Sequence, residues 1–476
     1  MNARGLPRGG VGVGWRSELA ADLLRHRGAV DFVEVVAETC FTQGHTRREV
    51  NAVAEVWPVV PHGVKLSLGS AEGVDMDRAR QLGVLARELR APFVTEHVAF
   101  TRAGTREIGH LTQLPRTREA VDVVARNVAR VRAVLPDVPL LLENVAWSFR
   151  WPDDDMDEPT FYGEIVRQTG CGLLLDLSNL YANARNEGVD PAARLAQYPL
   201  ENVCMVHIAG GIMEDGFYFD THAHPVGDDV FALLAALFTH KPDVPVLLER
   251  DANFGAFGAL AAELEGVRQL RPANPNGARE RDADAPAATP KVREGESRRL
   301  EDVQARVAAL LIDLEPPRDE LAERIGPAAL ARARGILQRK RVDDAMPLLA
   351  RLSRFAEQIR PMAEHAMKHH ARLPRGAGPA DAWQIVHAVK DDARLCDDAL
   401  TDRLLLRARF RGPDERGRLE PRWGPFFGSE QLSDGRRIAA SKGFGARAPV
   451  RLHERNPTWT RDSHPSPNPY GKGSTS

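Results

Sequence analysis

Histidine and carboxylate side chains recur between residues 60 and 251, each close to the end of a short apolar run. The segments that contain these ends are PHGVKLSLGS, VTEHVAF, LLLENVAW, LLLDLSNLY, VHIAGG and VLLERD. A further segment, FYFDTHAHP, lies between VHIAGG and VLLERD. Nitrogen and oxygen ligands without cysteine are typical of iron, manganese or zinc sites. The candidate metal ligands are His62, His97, Glu143, Asp176, Asn179, His207, Asp220, His222 and Glu249.

The number of candidate ligands indicates more than one metal ion. An octahedral ion accepts about six ligands, and this set is larger. A carboxylate such as Glu143 can bridge two ions, and neighbouring ions in such clusters lie about 3.5–4 Å apart. Each residue alone has an ordinary interpretation, because a carboxylate at a strand end commonly caps the next helix. The prediction of a multinuclear site therefore depends on the residues occurring together.

The elements that must position these residues are short apolar runs that alternate with segments of helical period. This alternation predicts parallel strands joined by crossover helices, and about eight such units close a TIM-type barrel. The carboxyl ends of the strands meet at one rim of such a barrel, so the candidate ligands would converge there. The predicted strands are residues 11–14, 32–37, 59–66, 93–99, 140–143, 172–176, 203–208 and 244–249.

The pattern changes after the barrel, and the chain divides into four predicted regions. We predict an α/β fold with a TIM-type (β/α)8 barrel over residues 1–272, followed by a flexible Pro/Ala-rich linker over 273–297. Apolar residues at helical spacing predict a small all-α domain over 298–410. Residues 411–476 are rich in Gly, Pro, Arg and Ser, which predicts an irregular or disordered tail.

The composition is ordinary for a soluble protein. The formal net charge of −2 favours neither nucleic acid nor a membrane as a partner. No run reaches the ~18 apolar residues of a membrane span, and the amino terminus does not read as a secretory signal. The four cysteines lack CxxC spacing, which agrees with a reducing compartment. We expect a cytoplasmic protein with neither a membrane nor a nucleic-acid partner, and the sequence leaves its oligomeric state open.

Ten motifs in residues 10–255 resemble those of the multinuclear non-heme iron-dependent oxidase family, known best from the oxidase of methanobactin biosynthesis. Besides the strand-end motifs, they include GVGW, DFVEV and LPRT, in the family's order and spacing. The resemblance implies a TIM barrel in which the candidate ligands hold two or three iron ions in a mixed-valent Fe(II)/Fe(III) state. It also implies catalytic roles for Glu143, Asp220 and His222.

The same resemblance implies a substrate and a partner. O2 would be the co-substrate, and the enzyme would oxidise a residue, often cysteine, of a ribosomally synthesised precursor peptide. Such enzymes usually act with a partner that recognises the precursor's leader, and the helical region after residue 298 is a candidate for that role. A stabilising or oligomerising appendage is the alternative. The sequence VVAETCF departs from the family, because Glu38 is kept but the Asn that follows it in many relatives is missing.

Two functions of other classes also agree with these residues. A divalent-metal hydrolase or isomerase of the endonuclease IV and xylose-isomerase type would share the barrel and its rim of His, Asp and Glu. A non-catalytic peptide-binding or metal-binding module would need only the ligands. Oxygen consumption separates the three, because neither alternative requires O2.

Overall fold

The computed structural model describes residues 6–272, 297–372, 377–413 and 418–455. These residues form two compact units, of which the first contains residues 6–272, 297–311 and 316–334 and the second contains the remainder. The predicted linker lies outside the described residues, apart from its last residue. Within the described part of the chain, no helix is long and apolar enough to cross a membrane.

Eight parallel strands close the barrel of the first unit, so the predicted TIM-type fold is confirmed. The strands of this unit are β1 (Val11–Gly14), β2 (Phe32–Val36), β3 (Val59–Gly63), β4 (Val94–His97), β5 (Ala99–Ala103), β6 (Arg106–Gln113), β7 (Leu140–Glu143), β8 (Gly172–Asp176), β9 (Val203–Ile208), β10 (Gly210–Glu214), β11 (Phe217–His224) and β12 (Val246–Leu248). The order around the barrel is β1, β2, β3, β4, β7, β8, β9 and β12, and β12 pairs with β1 to close it. Apolar side chains from six of the eight strands, including Phe32, Leu141 and Leu247, pack into one buried cluster.

Helices follow the barrel strands, and several begin at a capping residue. They are α1 (Ala20–Arg25), α2 (His45–Val53), α3 (Met76–Leu89), α4 (Arg118–Arg132), α5 (Glu158–Thr169), α6 (Leu177–Glu187), α7 (Pro191–Leu195), α8 (Asp228–Phe238) and α9 (Phe257–Gln269). Asp75, Thr117 and Asp157 accept hydrogen bonds from the first backbone N–H groups of α3, α4 and α5. Such caps satisfy donors that have no partner inside the helix.

Two antiparallel hairpins extend the rim where the barrel strands end. Strands β5 and β6 form the hairpin after β4, and strands β10 and β11 form the hairpin after β9. Neither hairpin was predicted from the sequence. The second one carries the FYFDTHAHP motif, so Asp220 and His222 lie on a hairpin strand.

The first unit extends beyond the predicted domain boundary at residue 298. It includes most of α10 (Ser297–Ile312), all of α11 (Glu320–Ile325) and the start of α12 (Pro327–Ala345). The buried amide of Gln304 accepts a hydrogen bond from Ala71 N at 2.9 Å and donates one to Gly69 O at 2.7 Å. The boundary at 298 is therefore wrong, because residues 297–311 and 316–334 pack with the barrel.

The second unit contains the rest of α12, then α13 (Ala356–His369), α14 (Ala377–Val389) and α15 (Cys396–Arg409) around an apolar core. The helical prediction for this part of the chain is confirmed. The predicted irregular tail, residues 411–476, is wrong for residues 418–455, and its residues 414–417 and 456–476 lie outside the described residues. The described residues after 409 form β13 (Phe410–Arg411), β14 (Glu420–Pro421) and an antiparallel sheet of β15 (Phe426–Gln431), β16 (Arg437–Lys442) and β17 (Val450–Arg455).

Candidate metal centre

The nine predicted ligands lie at one rim of the barrel, each at or just beyond the carboxyl end of a strand or on β11. Most of these side chains are buried, and His207 and Asp176 are completely inaccessible. His62 lies on β3, His97 on β4, Glu143 on β7, Asp176 on β8, Asn179 on α6, His207 on β9, Asp220 and His222 on β11, and Glu249 directly after β12.

Eight of the nine side chains form overlapping groups of ligand atoms. Within each group all of the ligand atoms lie within 4.8 Å of one another. Several residues, among them Glu143, Asp176 and Glu249, belong to two groups, which is the arrangement that bridging carboxylates require. The groups are His62, His97 and Glu143; Glu143, Asp176, His207 and Glu249; Asp176, Asp220 and His222; and His222, Glu249 and Asp251.

Glu143 lies between three imidazoles at the buried end of the centre. Its Oε2 is 3.3 Å from His97 Nε2 and 3.6 Å from His62 Nε2, and its Oε1 is 3.2 Å from His207 Nδ1. Burial alone would raise the pKa of Glu143, but the charges of His97, His207 and His62 outweigh it and lower the pKa to about 2. Burial likewise opposes protonation of His97, but Glu143 and Glu96 raise its pKa to about 9.

The ring nitrogens that point away from the centre are held by other groups. His62 Nδ1 lies 2.7 Å from Thr95 Oγ1, and His97 Nδ1 lies 3.3 Å from the carbonyl oxygen of Gly63. Such contacts fix the orientation of an imidazole and leave its other nitrogen available to a metal ion. Both Nε2 atoms accordingly face Glu143.

The other end of the centre, around His222, is more open to solvent. His222 Nδ1 lies 3.3 Å from Glu249 Oε2, and its Nε2 lies 2.6 Å from Asp220 Oδ2. The His222 side chain is 19% exposed and that of Asp251 is 46% exposed, whereas His207 is inaccessible. His222 has a φ of +53°, a region that non-glycine residues rarely adopt and that is enriched at functional sites.

Four buried atoms of the centre make no hydrogen bond to any described residue. They are Glu143 Oε2, Asp176 Oδ2, His207 Nδ1 and Asp220 Oδ1. A buried polar atom without a partner is costly, and most such atoms in proteins are satisfied. A metal cation satisfies carboxylate oxygens and imidazole nitrogens at once, so these residues fit a cluster of metal ions. Burial and the nearby charge of Asp220 raise the pKa of Asp176 well above its ordinary value, a repulsion that a cation would relieve.

Asn179 and Glu38 lie beside the centre and bind the backbone. Asn179 Nδ2 donates to the carbonyl oxygen of Asn144 at 3.0 Å, and its backbone N–H donates to Asp176 Oδ1 at 2.8 Å. Asp176 thus caps α6 with one oxygen and leaves the other toward the centre. Glu38 Oε1 accepts hydrogen bonds from the backbone N–H groups of residues 64 and 65 in the loop after β3.

Four contributing residues were not singled out from the sequence. Glu34 Oε2 lies 3.2 Å from His207 Nε2, and Thr95 contacts His62. Asp251 completes one ligand group, and Arg16 forms an ion pair with it. Glu34 could have been noticed in the sequence, because it is a carboxylate inside the apolar run of β2. Nothing in the sequence indicates a role for Arg16 or Thr95.

The region that forms the barrel is similar to known proteins. Residues 10–271 match the family model described as RiPP precursor modification enzyme MbnB/TglH/ChrH. A "UPF0276 protein" of Streptomyces avermitilis is 43% identical over 268 residues, which are 55% of this chain and 54% of the relative. A protein of the same name from Caulobacter vibrioides is 38% identical over 264 residues, 55% of this chain and 94% of the relative.

The chain therefore covers about half the length of the Streptomyces relative and nearly all of the Caulobacter relative. Among solved structures, a D-allulose 3-epimerase from Methylomonas sp. covers 56% of this chain and 98% of its own, with 14% identity and a TM-score of 0.40.

Proposed function

Because the chain belongs to the MbnB/TglH/ChrH family of RiPP precursor modification enzymes, we propose that it is an O2-dependent multinuclear non-heme iron oxidase of a ribosomally synthesised precursor peptide. The family membership confirms the resemblance seen in the sequence motifs. The modified residue in this proposal is a cysteine. The observation that carries the proposal is the set of overlapping ligand groups with carboxylates common to two of them.

The ligand chemistry supports iron in two or three adjacent positions. Imidazole and carboxylate ligands without thiolate suit iron or manganese, and several carboxylates here could bridge ions about 3.5–4 Å apart. Structural zinc sites, in contrast, are closed by four ligands, often including cysteine. In this proposal the nine predicted residues and Asp251 hold the ions, with Glu143, Asp220 and His222 closest to the chemistry.

Bound iron would supply the capacity to bind and reduce O2 and to withdraw electrons from the substrate. The protein's own residues hold and orient the centre. Thr95 and the carbonyl of Gly63 fix the imidazoles of His62 and His97 at the buried end, where water is excluded. The substrate would approach at the exposed end, near His222 and Asp251. A cysteine thiol would bind there as the thiolate, since metal coordination deprotonates a thiol.

We further propose that the second unit takes part in recognition of the precursor. Since residues 297–311 and 316–334 belong with the barrel, a deletion that tests this role must begin after Arg334. We expect the truncated protein still to bind metal but to modify the peptide more slowly at low peptide concentration. The reason is that a tethered recognition unit raises the effective concentration of the peptide at the barrel, and the truncation removes it. Equal rates for the truncated and full-length proteins would contradict this role.

The decisive experiment counts and characterises the metal ions. The protein would be purified anaerobically with Fe(II), analysed for bound metals, and examined by Mössbauer and EPR spectroscopy before and after O2. We expect two or more irons per chain and a coupled mixed-valent signal. A Glu143→Gln variant should lose iron, whereas Glu88→Gln, which changes a carboxylate on α3 outside the centre, should not. One zinc or manganese ion without a response to O2 would instead support the hydrolase or isomerase.

A further inference from the structure

Hairpin β10–β11 brings Asp220 and His222 to the metal centre, and its own position is set by contacts near its base. On β11, the backbone N–H of Tyr218 donates to Asn186 Oδ1 at 2.8 Å, and Asn186 Nδ2 donates to Tyr218 O at 2.9 Å. These bonds anchor the backbone of the strand to α6. The ring of the neighbouring residue, Phe217, contacts other residues.

Phe217 is enclosed by Trp147 and Arg332. The ring centroids of Trp147 and Phe217 are 5.7 Å apart with an interplanar angle of 70°, an edge-to-face contact. The guanidinium carbon of Arg332 lies 3.9 Å from the Phe217 centroid, well within the range of a cation–π interaction. Trp147 is in the loop that follows β7, and Arg332 is on α12.

The same guanidinium also binds the loop after β7. Arg332 Nη2 and Nε donate to the carbonyl oxygen of Ser148 at 3.2 and 3.3 Å. Among the described residues, no carboxylate lies within ion-pair distance of Arg332. Its guanidinium instead interacts with the Phe217 ring and the Ser148 carbonyl oxygen. A planar guanidinium can stack on an aromatic ring and donate in its own plane at the same time, which a lysine ammonium cannot do.

We propose that Arg332 is a positioning residue for the metal centre. It ties the loop after β7, which follows Glu143, to the strand that carries Asp220 and His222, which lie three and five residues after Phe217. The position of this strand at the rim sets how closely Asp220 and His222 approach Asp176 and Glu249, with which they form ligand groups. Arg332 lies outside the family match over residues 10–271, so the centre depends on a group from the carboxyl-terminal extension.

This inference rests on the proposed function only in requiring that the centre binds metal ions. The test uses the full chain and Co(II) alone as the probe, under anaerobic conditions. The variant is Arg332→Gln. Its matched control is Arg324→Gln, which lies in the same extension and removes one side of an exposed ion pair with Asp153. Co(II) stoichiometry and affinity are measured by equilibrium dialysis, and ligand geometry by the visible absorption spectrum.

We expect Arg332→Gln to weaken the last Co(II) ion to bind by roughly 10–100-fold, as for other groups that orient metal ligands, and to alter its spectrum. Binding of the first ion and the unfolding temperature of the metal-free protein should match those of Arg324→Gln. Arg332→Lys, which keeps the charge but loses the planar fork, should give an intermediate affinity.

Wild-type Co(II) binding by Arg332→Gln would refute this inference and leave the proposed function intact. If Arg332→Gln does not fold, Co(II) binding is measured with Phe217→Leu instead. Wild-type affinity of that variant for every Co(II) ion would refute the inference equally. A wild-type protein that binds no Co(II) would refute both the proposed function and this role of Arg332.

Discussion

Glu34 is a buried carboxylate in the middle of an otherwise apolar strand, and it determines which nitrogen of His207 faces the centre. Its Oε2 lies 3.2 Å from His207 Nε2, so Nδ1 is left toward Glu143 and Glu249, at 3.2 and 3.3 Å. A carboxylate behind a metal-binding imidazole also raises the basicity of the ligand. The proposed centre therefore includes a charge that does not touch the metal.

The first prediction concerns this charge. Glu34→Gln keeps the size of the side chain but removes the negative charge, so His207 becomes a weaker ligand. We expect the affinity for Fe(II) or Co(II) to fall about 10–100-fold, measured by anaerobic titration. Glu88→Gln, which alters a half-exposed carboxylate paired with Arg47, serves as the control. Equal affinities in the two variants would show that Glu34 does not support the centre.

The candidate ligands could be predicted to lie together from sequence because they are polar residues at the ends of apolar runs, where barrel geometry brings them together. Eight of the nine do meet in the ligand groups. The residues that orient these side chains could not be predicted, because a contact such as that of Thr95 with His62 depends on the register between neighbouring strands. Asp251 follows the LLER motif directly, but its approach to His222 depends on the hairpin.

At the scale of elements, hairpin β10–β11 has a base that only glycine can form. A Cβ atom at Gly210 would lie 2.1 Å from Pro225 O and 2.2 Å from His224 O, both of them backbone atoms. Backbone atoms cannot move aside as the end of a flexible side chain can. The VHIAGG motif thus allows the chain to leave β9 and return in the hairpin that presents Asp220 and His222.

The second prediction follows from this close approach. Gly210→Ala should push the two strands apart, lower the free energy of unfolding by roughly 1–3 kcal/mol and reduce the number of metal ions bound. Gly227→Ala is the matched control, because nothing lies within 4 Å of a Cβ at that position. Urea denaturation and elemental analysis measure the two effects. Unchanged metal content in a folded Gly210→Ala protein would contradict the prediction.

The eight barrel strands were predictable because strands buried on both faces read as continuous apolar runs. The rim hairpins were not, because β6, β10 and β11 are mostly half-buried or exposed and do not read as apolar runs. The sheet of the second unit was missed for a related reason. Only one of its faces packs on α15, through Ile438 and Ala440 against Leu404, and its other positions are largely Arg, Ser and Gln.

At the scale of the whole molecule, both units contain buried carboxylates. The second unit contains Asp402, a buried carboxylate that accepts hydrogen bonds from the backbone N–H groups of Arg351 and Leu352. Burial raises the pKa of Asp402 to about 6, and these hydrogen bonds only partly oppose the shift. The folded state therefore favours the protonated carboxyl compared with the unfolded chain.

The third prediction is the resulting pH dependence. Because the folded pKa is raised, the contribution to stability is fully present below the ordinary pKa of about 4 and is lost as the pH rises through about 6. We expect the second unit to lose about 2 kcal/mol of unfolding free energy between pH 4 and 7 through this group. Asp402→Asn should abolish that loss, whereas Asp391→Asn, at an exposed position, should not.

Urea denaturation at each pH, with pulsed hydrogen exchange and mass spectrometry of peptides from residues 377–409, reports the unfolding of this unit separately. A steep pH dependence that persists in Asp402→Asn would assign the effect to another group.

The buried side chain of Gln304 has a consequence for how this barrel can be exchanged between proteins. Its amide satisfies the backbone of the loop after β3, at Gly69 and Ala71, from a helix that begins 26 residues after the family match ends at residue 271. A chimera joined at residue 271 would leave that N–H and that carbonyl without their partner, a cost of roughly 1–3 kcal/mol for each buried group. The segment that would have to be transferred as one piece runs to Arg334. A functional chimera would therefore have to include the extension as well as the barrel.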